Sequence, residues 1–260
     1  MTYFGFLLLF LCVPLTILIV LTIYKEHRKH FVKSRTILIA IALHVVLALI
    51  YTTPWDNYLV ATGVWYYNPK LVTGIVLGYV PLEEYSFFVL QTMLTGLWWW
   101  WLARQVENKN RSRVNRNAAR SALGWILLIW LGSIYILLSK WNRGTYLGLE
   151  LAWALPPITS QLLFGGDILW HHRRLVATTI ISITTYLSIA DSFAISSGTW
   201  MIAPAQSTNI FISALPLEEL IFFLLTNTLI VFGITLLWAD ESRARASQFR
   251  QWVALKLGSR

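Results

Sequence analysis

The chain has 260 residues, 57% of them hydrophobic and 13% charged, with a mean hydropathy of +0.59. Because soluble domains are about 45–50% apolar and about 25% charged, this composition excludes an ordinary soluble protein and indicates a multi-pass membrane protein. The net charge of +9 could suit nucleic acid, but most cations lie in short segments between apolar runs. Charges so placed orient membrane helices, so we expect the lipid bilayer as a partner and no nucleic acid.

The hydropathy pattern predicts an all-α integral membrane protein with about seven transmembrane helices. Basic segments at 25–35, 104–120 and 171–174 and after Trp238 alternate with loops that are poor in cations. The positive-inside rule therefore predicts an outside N-terminus, an inside C-terminus and location in the cell membrane. The predicted spans are 3–24, 35–53, 76–103, 121–139, 147–165, 175–190 and 209–238.

The third and seventh spans are longer than a bilayer requires, and each contains a proline, Pro81 or Pro216. Proline lacks the N–H that an internal helical position needs, but it is well tolerated at a helix start. Two alternatives follow: the helices kink at these prolines, or new helices begin there. In the second case the stretch "LVTGIVLGYV" (71–80) would be a re-entrant or half-membrane piece.

When the sequence is shifted by 135 residues, two stretches of the chain align without a gap. This shift, called the repeat register below, brings Asp56 onto Asp191 and Trp65 onto Trp200. This repeat register also brings "PLEE" (81–84) onto "PLEE" (216–219), and Phe87-Phe88 onto Phe222-Phe223. We therefore expect two parallel three-helix repeats, with both glutamate pairs at one depth. The expected divisions are a first repeat (1–104), a basic loop with linker span (105–139), a second repeat (140–240) and a basic tail (241–260).

The four glutamates, Glu83, Glu84, Glu218 and Glu219, are the strongest candidates for catalysis, because ionisable groups in membrane segments are costly. The alternative is that they occupy first turns, where the helix dipole favours them. Helical spacing places Glu83 and Glu218 above apolar stripes, and Glu84 and Glu219 above stripes with polar groups. We predict that Glu83 or Glu218 is a general acid and that Glu84 and Glu219 orient the reacting groups or accept a proton.

A protonated carboxyl group among aromatic rings could protonate a carbon–carbon double bond of an apolar polyene. The resulting carbocation would need stabilisation without water, which aromatic faces provide. The side chains that we expect to provide it are Phe87, Phe88, Phe222 and Phe223.

At these motifs the sequence resembles the membrane-integral lycopene cyclase family, which includes two-subunit bacterial enzymes, fused archaeal forms and fungal cyclase domains. The stretches that carry the resemblance are "YTTPWDNYLVATGVWYY" (51–67), "VPLEEYSFF" (80–88), "LAWALPPI" (151–158), "FGGDILW" (164–170) and "LPLEELIFF" (215–223). The resemblance implies protonation of an acyclic end of lycopene or a related carotenoid, ring closure and proton loss. It implies no net redox change and no cofactor, and it suggests association with other carotenoid-pathway enzymes.

Five further residues are candidates for the substrate site, each with a structural alternative. Asp56 and Asp191 would end spans two and six, as helix-end aspartates or as a polar wall beside the glutamates. Glu150 would lie near the outer end of span five, in the site or at the interface. Trp65 and Trp200 would line the substrate entrance or anchor in an interfacial belt.

Other classes of membrane protein fit less well. A retinal protein needs an intramembrane lysine, and none lies between Lys140 and Lys256. A metalloprotease needs His or Cys ligands near the glutamate pairs. None lies near them in the sequence, so no metal site is predicted. A transporter or a carotenoid- or lipid-binding scaffold stays as the alternative, because parallel repeats and intramembrane carboxyl groups would serve it as well.

Overall fold

A computed structural model describes residues 1–28, 34–105 and 116–257, and most of these residues are helical. Much of the two basic segments at 25–35 and 104–120, on which the predicted orientation partly depends, lies outside the described residues. Of the described helices, five are long and apolar enough to cross a membrane. These five are Tyr3–Tyr24, Ser34–Ala61, Ser121–Leu138, Arg173–Ser196 and Leu217–Trp238.

The first helix is continuous but not uniform, because α1 (Tyr3–Phe6) and α2 (Val13–Arg28) are joined by a π-helical segment, Leu7–Cys12. The hydroxyl oxygen of Thr2 caps its start by accepting the Gly5 N–H at 3.1 Å. The wider turns come directly before Pro14, whose missing N–H interrupts the α-helical ladder.

The remaining helices form one bundle, with a 3-10 turn (Asn142–Gly144) before α6. They are α3 (Ser34–Ala61), α4 (Leu82–Ala103), α5 (Arg116–Leu138), α6 (Thr145–His171), α7 (Arg173–Ser196), α8 (Leu217–Trp238) and α9 (Asp240–Leu257). Helices α4 and α8 lie at the centre, where α4 contacts α2, α3, α7 and α8, and α8 contacts α3, α6 and α7. In contrast, α5 lies on the outside against α6, with exposed apolar side chains that suit lipid.

Two predicted spans contain a short hairpin before the helix. Strands β2 (Val76–Leu77) and β3 (Val80–Pro81) form the first hairpin, and β5 (Phe211–Ile212) and β6 (Leu215–Pro216) form the second. The helical parts of the predicted spans 76–103 and 209–238 therefore begin only after the prolines, at Leu82 and Leu217. Of the two alternatives at the prolines, the structure has the helix start, with each proline as an extended N-cap residue.

The two halves also meet through strands. Strand β1 (Trp65–Tyr67) pairs antiparallel with β4 (Trp200–Ile202), and the pair in the middle of the ladder is Tyr66 with Met201. These two residues are equivalent in the repeat register, and so are Gln91 and Thr226, which share a hydrogen bond of 3.1 Å between α4 and α8.

Helices α3 and α7 continue past the predicted ends of spans two and six, to Ala61 and Ser196. Asp56 and Asp191 consequently lie inside the last turns of these helices rather than at their ends, and both are buried. The predicted basic tail is also helical, as α9.

Candidate active site

The hairpins and prolines determine where the glutamates lie. In each half the backbone N–H of the residue after the proline, Leu82 or Leu217, donates to the carbonyl of Ile75 or Ile210, at 2.9 and 2.8 Å. This bond anchors the residues directly before the hairpin, called the hairpin loop below (71–75 or 206–210), to the first turn of the helix. Both glutamates of each pair therefore lie in a first helical turn, and all four are buried.

The first glutamate of each pair binds its own hairpin loop. The backbone N–H of Thr73 donates to Oε1 of Glu83, and that of Thr208 donates to Oε1 of Glu218, both at 2.6 Å. The hydroxyl of Ser207 adds a second bond to Glu218 at 3.1 Å. Each of these carboxyl groups thereby ties the first turn of its helix to the backbone of the hairpin loop.

The second glutamate of each pair faces a small cavity between the halves. The hydroxyls of Tyr3 and Tyr67 donate to Oε2 of Glu84, the latter at 3.0 Å, and Tyr146 donates to Oε1 of Glu219 at 2.9 Å. This carboxyl cavity has a volume of about 20 Å³, enough for a water molecule but not for a ring of six carbons. Its walls are Tyr3, Trp65, Tyr67, Glu84, Phe87, Asp191, Trp200, Glu219, Phe222 and Phe223.

The predicted roles of the glutamates can be compared with their positions. We expected the acid to be Glu83 or Glu218, but neither lines the cavity, because the hairpin loop folds back over its side chain. The carboxyl groups that reach the aromatic cavity are Glu84 and Glu219 instead.

Aromatic rings form most of the cavity wall. Trp65 packs edge-on against Phe222 with ring centroids 5.8 Å apart, and Phe87 packs edge-on against Phe223 at 6.3 Å. Trp200 lies 4.7 Å from the ring of Tyr3. Both tryptophans thus lie in the cavity wall, and a cation formed between them would face several π-systems.

The three other candidate carboxyl groups are also buried near this cavity. Asp191 lines it and accepts a hydrogen bond of 3.0 Å from the Trp200 indole, whereas Asp56 accepts none from the described residues although its side chain is buried. Glu150 is 0% exposed and lies beside Tyr146, and its oxygens accept no hydrogen bond of good geometry from the described residues.

A larger cavity adjoins the carboxyl cavity and opens to the outer surface of the bundle. This lateral groove has a volume of about 250 Å³ and is mainly apolar. Phe222 lines both spaces, while Phe88, which we expected beside the glutamates, lines only the groove. The groove is lined by His44, Leu47, Ala48, Tyr51, Thr52, Phe88, Gln91, Thr92, Trp153, Pro157, Gln161, Phe222, Thr226, Leu229 and Ile230.

Sequence reasoning missed the three tyrosines that bind the cavity glutamates. Two of them had a signal, because "TYFG" (2–5) and "TYLG" (145–148) match in a different register, the N-terminal register, which brings Tyr3 onto Tyr146. The N-terminal register also brings Leu7 onto Glu150, so the second half has an additional carboxyl group. The repeat register brings Tyr67 onto Ile202, so the first half has an additional hydroxyl.

Comparison with known proteins places these residues in a family. The Lycopene cyclase family model matches residues 1–102 and 145–237. A lycopene beta-cyclase of Halobacterium salinarum is 39% identical over 196 residues, covering 75% of this chain and 81% of that protein. Bifunctional lycopene cyclase/phytoene synthases of Aspergillus niger and Podospora anserina are each 33% identical, over 75% and 85% of this chain but 34% and 38% of theirs. No solved structure matches the chain.

Proposed function

The chain belongs to the lycopene cyclase family, and on that premise we propose that it converts the acyclic ends of lycopene into β-rings. The observation that carries the proposal is the cavity in which two buried glutamates, Glu84 and Glu219, face tryptophan and phenylalanine rings. Carboxyl groups supply and remove protons, and the rings stabilise the cation that forms between the two steps.

The hydrogen bonds favour Glu219 as the acid and Glu84 as the base. A hydrogen bond donated to a carboxylate stabilises the charged form. Glu84 receives two, from Tyr3 and Tyr67, so it is the better proton acceptor. Glu219 receives one, from Tyr146, and has the buried carboxyl group of Glu150 nearby, so a proton is more easily retained there.

The reaction then balances without a redox step. Glu219 transfers its proton to C2 of the acyclic end, and the electron pair of the C5=C6 bond attacks the C1 cation to form the C1–C6 bond. Glu84 removes the C6 proton, which forms the new C5=C6 bond and neutralises the C5 cation. Asp191, with one oxygen free of partners among the described residues, can return the proton from Glu84 to Glu219.

We also propose that the chain is a multi-pass protein of the cell membrane with seven spans. Helices α4 and α6, of 22 and 27 residues, are long enough to join the five most apolar helices. The contacts between equivalent residues, Tyr66 with Met201 and Gln91 with Thr226, suit parallel repeats related by a pseudo-twofold axis. The alternation of loop charge supports an outside N-terminus and an inside C-terminus.

Expression in cells that accumulate lycopene tests the activity. We expect lycopene to be replaced by monocyclic and bicyclic β-ring carotenoids, separated by chromatography. Unchanged lycopene in cells that contain the membrane-inserted protein would reject the cyclase proposal. Lycopene that instead co-purifies unchanged with the protein would favour a carotenoid-binding scaffold.

A further inference from the structure

The lateral groove has the chemistry of a site for a linear apolar chain. It opens beside Leu47 and Tyr51, which are 48% and 44% exposed on the outer face of α3. Its inner end reaches Phe222, whose other side lines the carboxyl cavity. A chain that enters from the lipid side would therefore run from the bundle surface to the glutamates without crossing water.

Aromatic rings mark this path. Tyr51 stacks on Trp153 with centroids 5.3 Å apart, Trp153 stacks on Trp55 at 4.6 Å, and Trp55 stacks on Phe222 at 5.9 Å. The ring planes in these pairs are inclined by 22°, 18° and 5°. Tyr51, Trp153 and Phe222 line the groove and present aromatic edges to an apolar chain, whereas Trp55 stacks between Trp153 and Phe222 without lining the groove.

The equivalent region in the other half is packed differently. The repeat register brings Leu47 onto Ser182 and Trp98 onto Gly233, and the Trp98 indole donates to the Ser182 hydroxyl at 2.7 Å across α4 and α7. Gly233, which lies against His44 of the groove wall, therefore stands where the other half has Trp98.

The contacts of this region also differ further along the bundle. Asn227 is the equivalent of Thr92 in the groove wall, and it accepts a hydrogen bond from Thr95 at 2.9 Å and donates one to Thr184 at 3.2 Å.

We propose that the lateral groove binds the extended chain of an acyclic polyene, one chain per protein, with its reacting end directed past Phe222 toward Glu84 and Glu219. This inference rests on the proposed function for the identity of the ligand. Because the carboxyl cavity is too small for the product ring, Phe222 must move when the end of the chain enters. Because one groove serves both cavity glutamates, the two ends of a symmetric substrate react in separate binding events.

A binding experiment tests the groove separately from the chemistry. The inactive double variant Glu84→Gln/Glu219→Gln is purified in detergent from lycopene-producing cells, and bound pigment is measured by absorbance. Adding Ala48→Trp places a large side chain in the groove, and we expect at least a tenfold loss of bound lycopene. The matched control Ala42→Trp lies on an exposed part of the same helix outside the groove, and its bound pigment should be unchanged.

The outcomes are distinct. About one lycopene per chain, lost with Ala48→Trp and retained with Ala42→Trp, supports the groove even if wild-type turnover were to fail. Equal retention in both variants, equal loss in both, or two lycopene molecules per chain overturns the proposal. If Ala48→Trp does not yield a folded protein, Ala48→Phe replaces it and should still lose most of the pigment. Retention by folded Ala48→Phe overturns the proposal too.

Discussion

The two halves of the molecule hold their cavity glutamates at equivalent positions but surround them differently. Glu84 accepts hydrogen bonds from Tyr3 and Tyr67, and Glu219 accepts one from Tyr146. The second half has Ile202 where the first has Tyr67, and Glu150 where the first has Leu7. The two halves have similar backbones, but Glu84 has one additional hydrogen-bond donor and Glu219 has one additional carboxyl neighbour. This is the difference that an acid and a base in one site would need.

The largest expected effect separates the cavity glutamates from the hairpin glutamates. Glu84→Gln and Glu219→Gln, made singly, should each lower cyclisation by at least about 10²-fold, because each removes a proton donor or acceptor of general acid–base catalysis. The measurement is the rate of β-ring formation per inserted protein.

The matched controls are Glu83→Gln and Glu218→Gln, which keep the shape of the side chain at the loop. Each should mainly lower thermal stability, because hydrogen bonds to a charged group, each worth about 1.5–3 kcal/mol, are weakened, one at Glu83 and two at Glu218. Full activity of Glu84→Gln and Glu219→Gln, with loss of activity in Glu83→Gln and Glu218→Gln, would contradict this prediction. It would support Glu83 or Glu218 as the acid, as helical spacing predicted.

The sequence predicted the glutamate pairs and most of the aromatic wall because these features are linear patterns. It did not reveal that Glu83 and Glu218 bind their hairpin loops, because helical spacing describes only contacts along one helix. Tyr3 and Tyr146 were missed because the first helices of the two halves match only in the N-terminal register, whereas the other matches follow the repeat register. The two registers differ because the connection after the first helix is longer than that between α6 and α7, and because α3 begins earlier than α7 in the repeat register.

The tyrosines should give a smaller but unequal effect. Tyr146→Phe should lower the rate about tenfold or more, because Glu219 then has no tyrosine to stabilise its carboxylate after it gives up the proton. Tyr67→Phe should lower the rate only about threefold, because Glu84 keeps its bond from Tyr3.

Tyr135→Phe is the control, since Tyr135 is 72% exposed on α5, and its rate should not change. Equal losses for Tyr67→Phe and Tyr146→Phe would mean that the unequal numbers of donors do not distinguish the two glutamates.

An effect on rate as small as that of Tyr67→Phe is expected from making the halves more alike. Glu150→Leu introduces the residue that the first half has at Leu7, which is itself buried. Replacing a buried carboxyl group that has no good hydrogen bond should stabilise the protein by about 1–3 kcal/mol, seen as a higher melting temperature in detergent. The rate should nevertheless fall about threefold, because Glu219 loses the carboxyl neighbour that helps it to retain a proton.

Glu150→Gln separates the shape of this side chain from its proton chemistry. It should lower the rate to the same extent without the gain in stability, because a buried amide still needs hydrogen bonds. A stabilised Glu150→Leu protein with a full rate would mean that Glu150 has no part in the reaction. A destabilised Glu150→Leu protein would mean instead that the carboxyl group forms a bond that holds α6 in place. Only the combination of higher stability and lower rate supports a carboxyl group that is kept for chemistry at a cost to the fold.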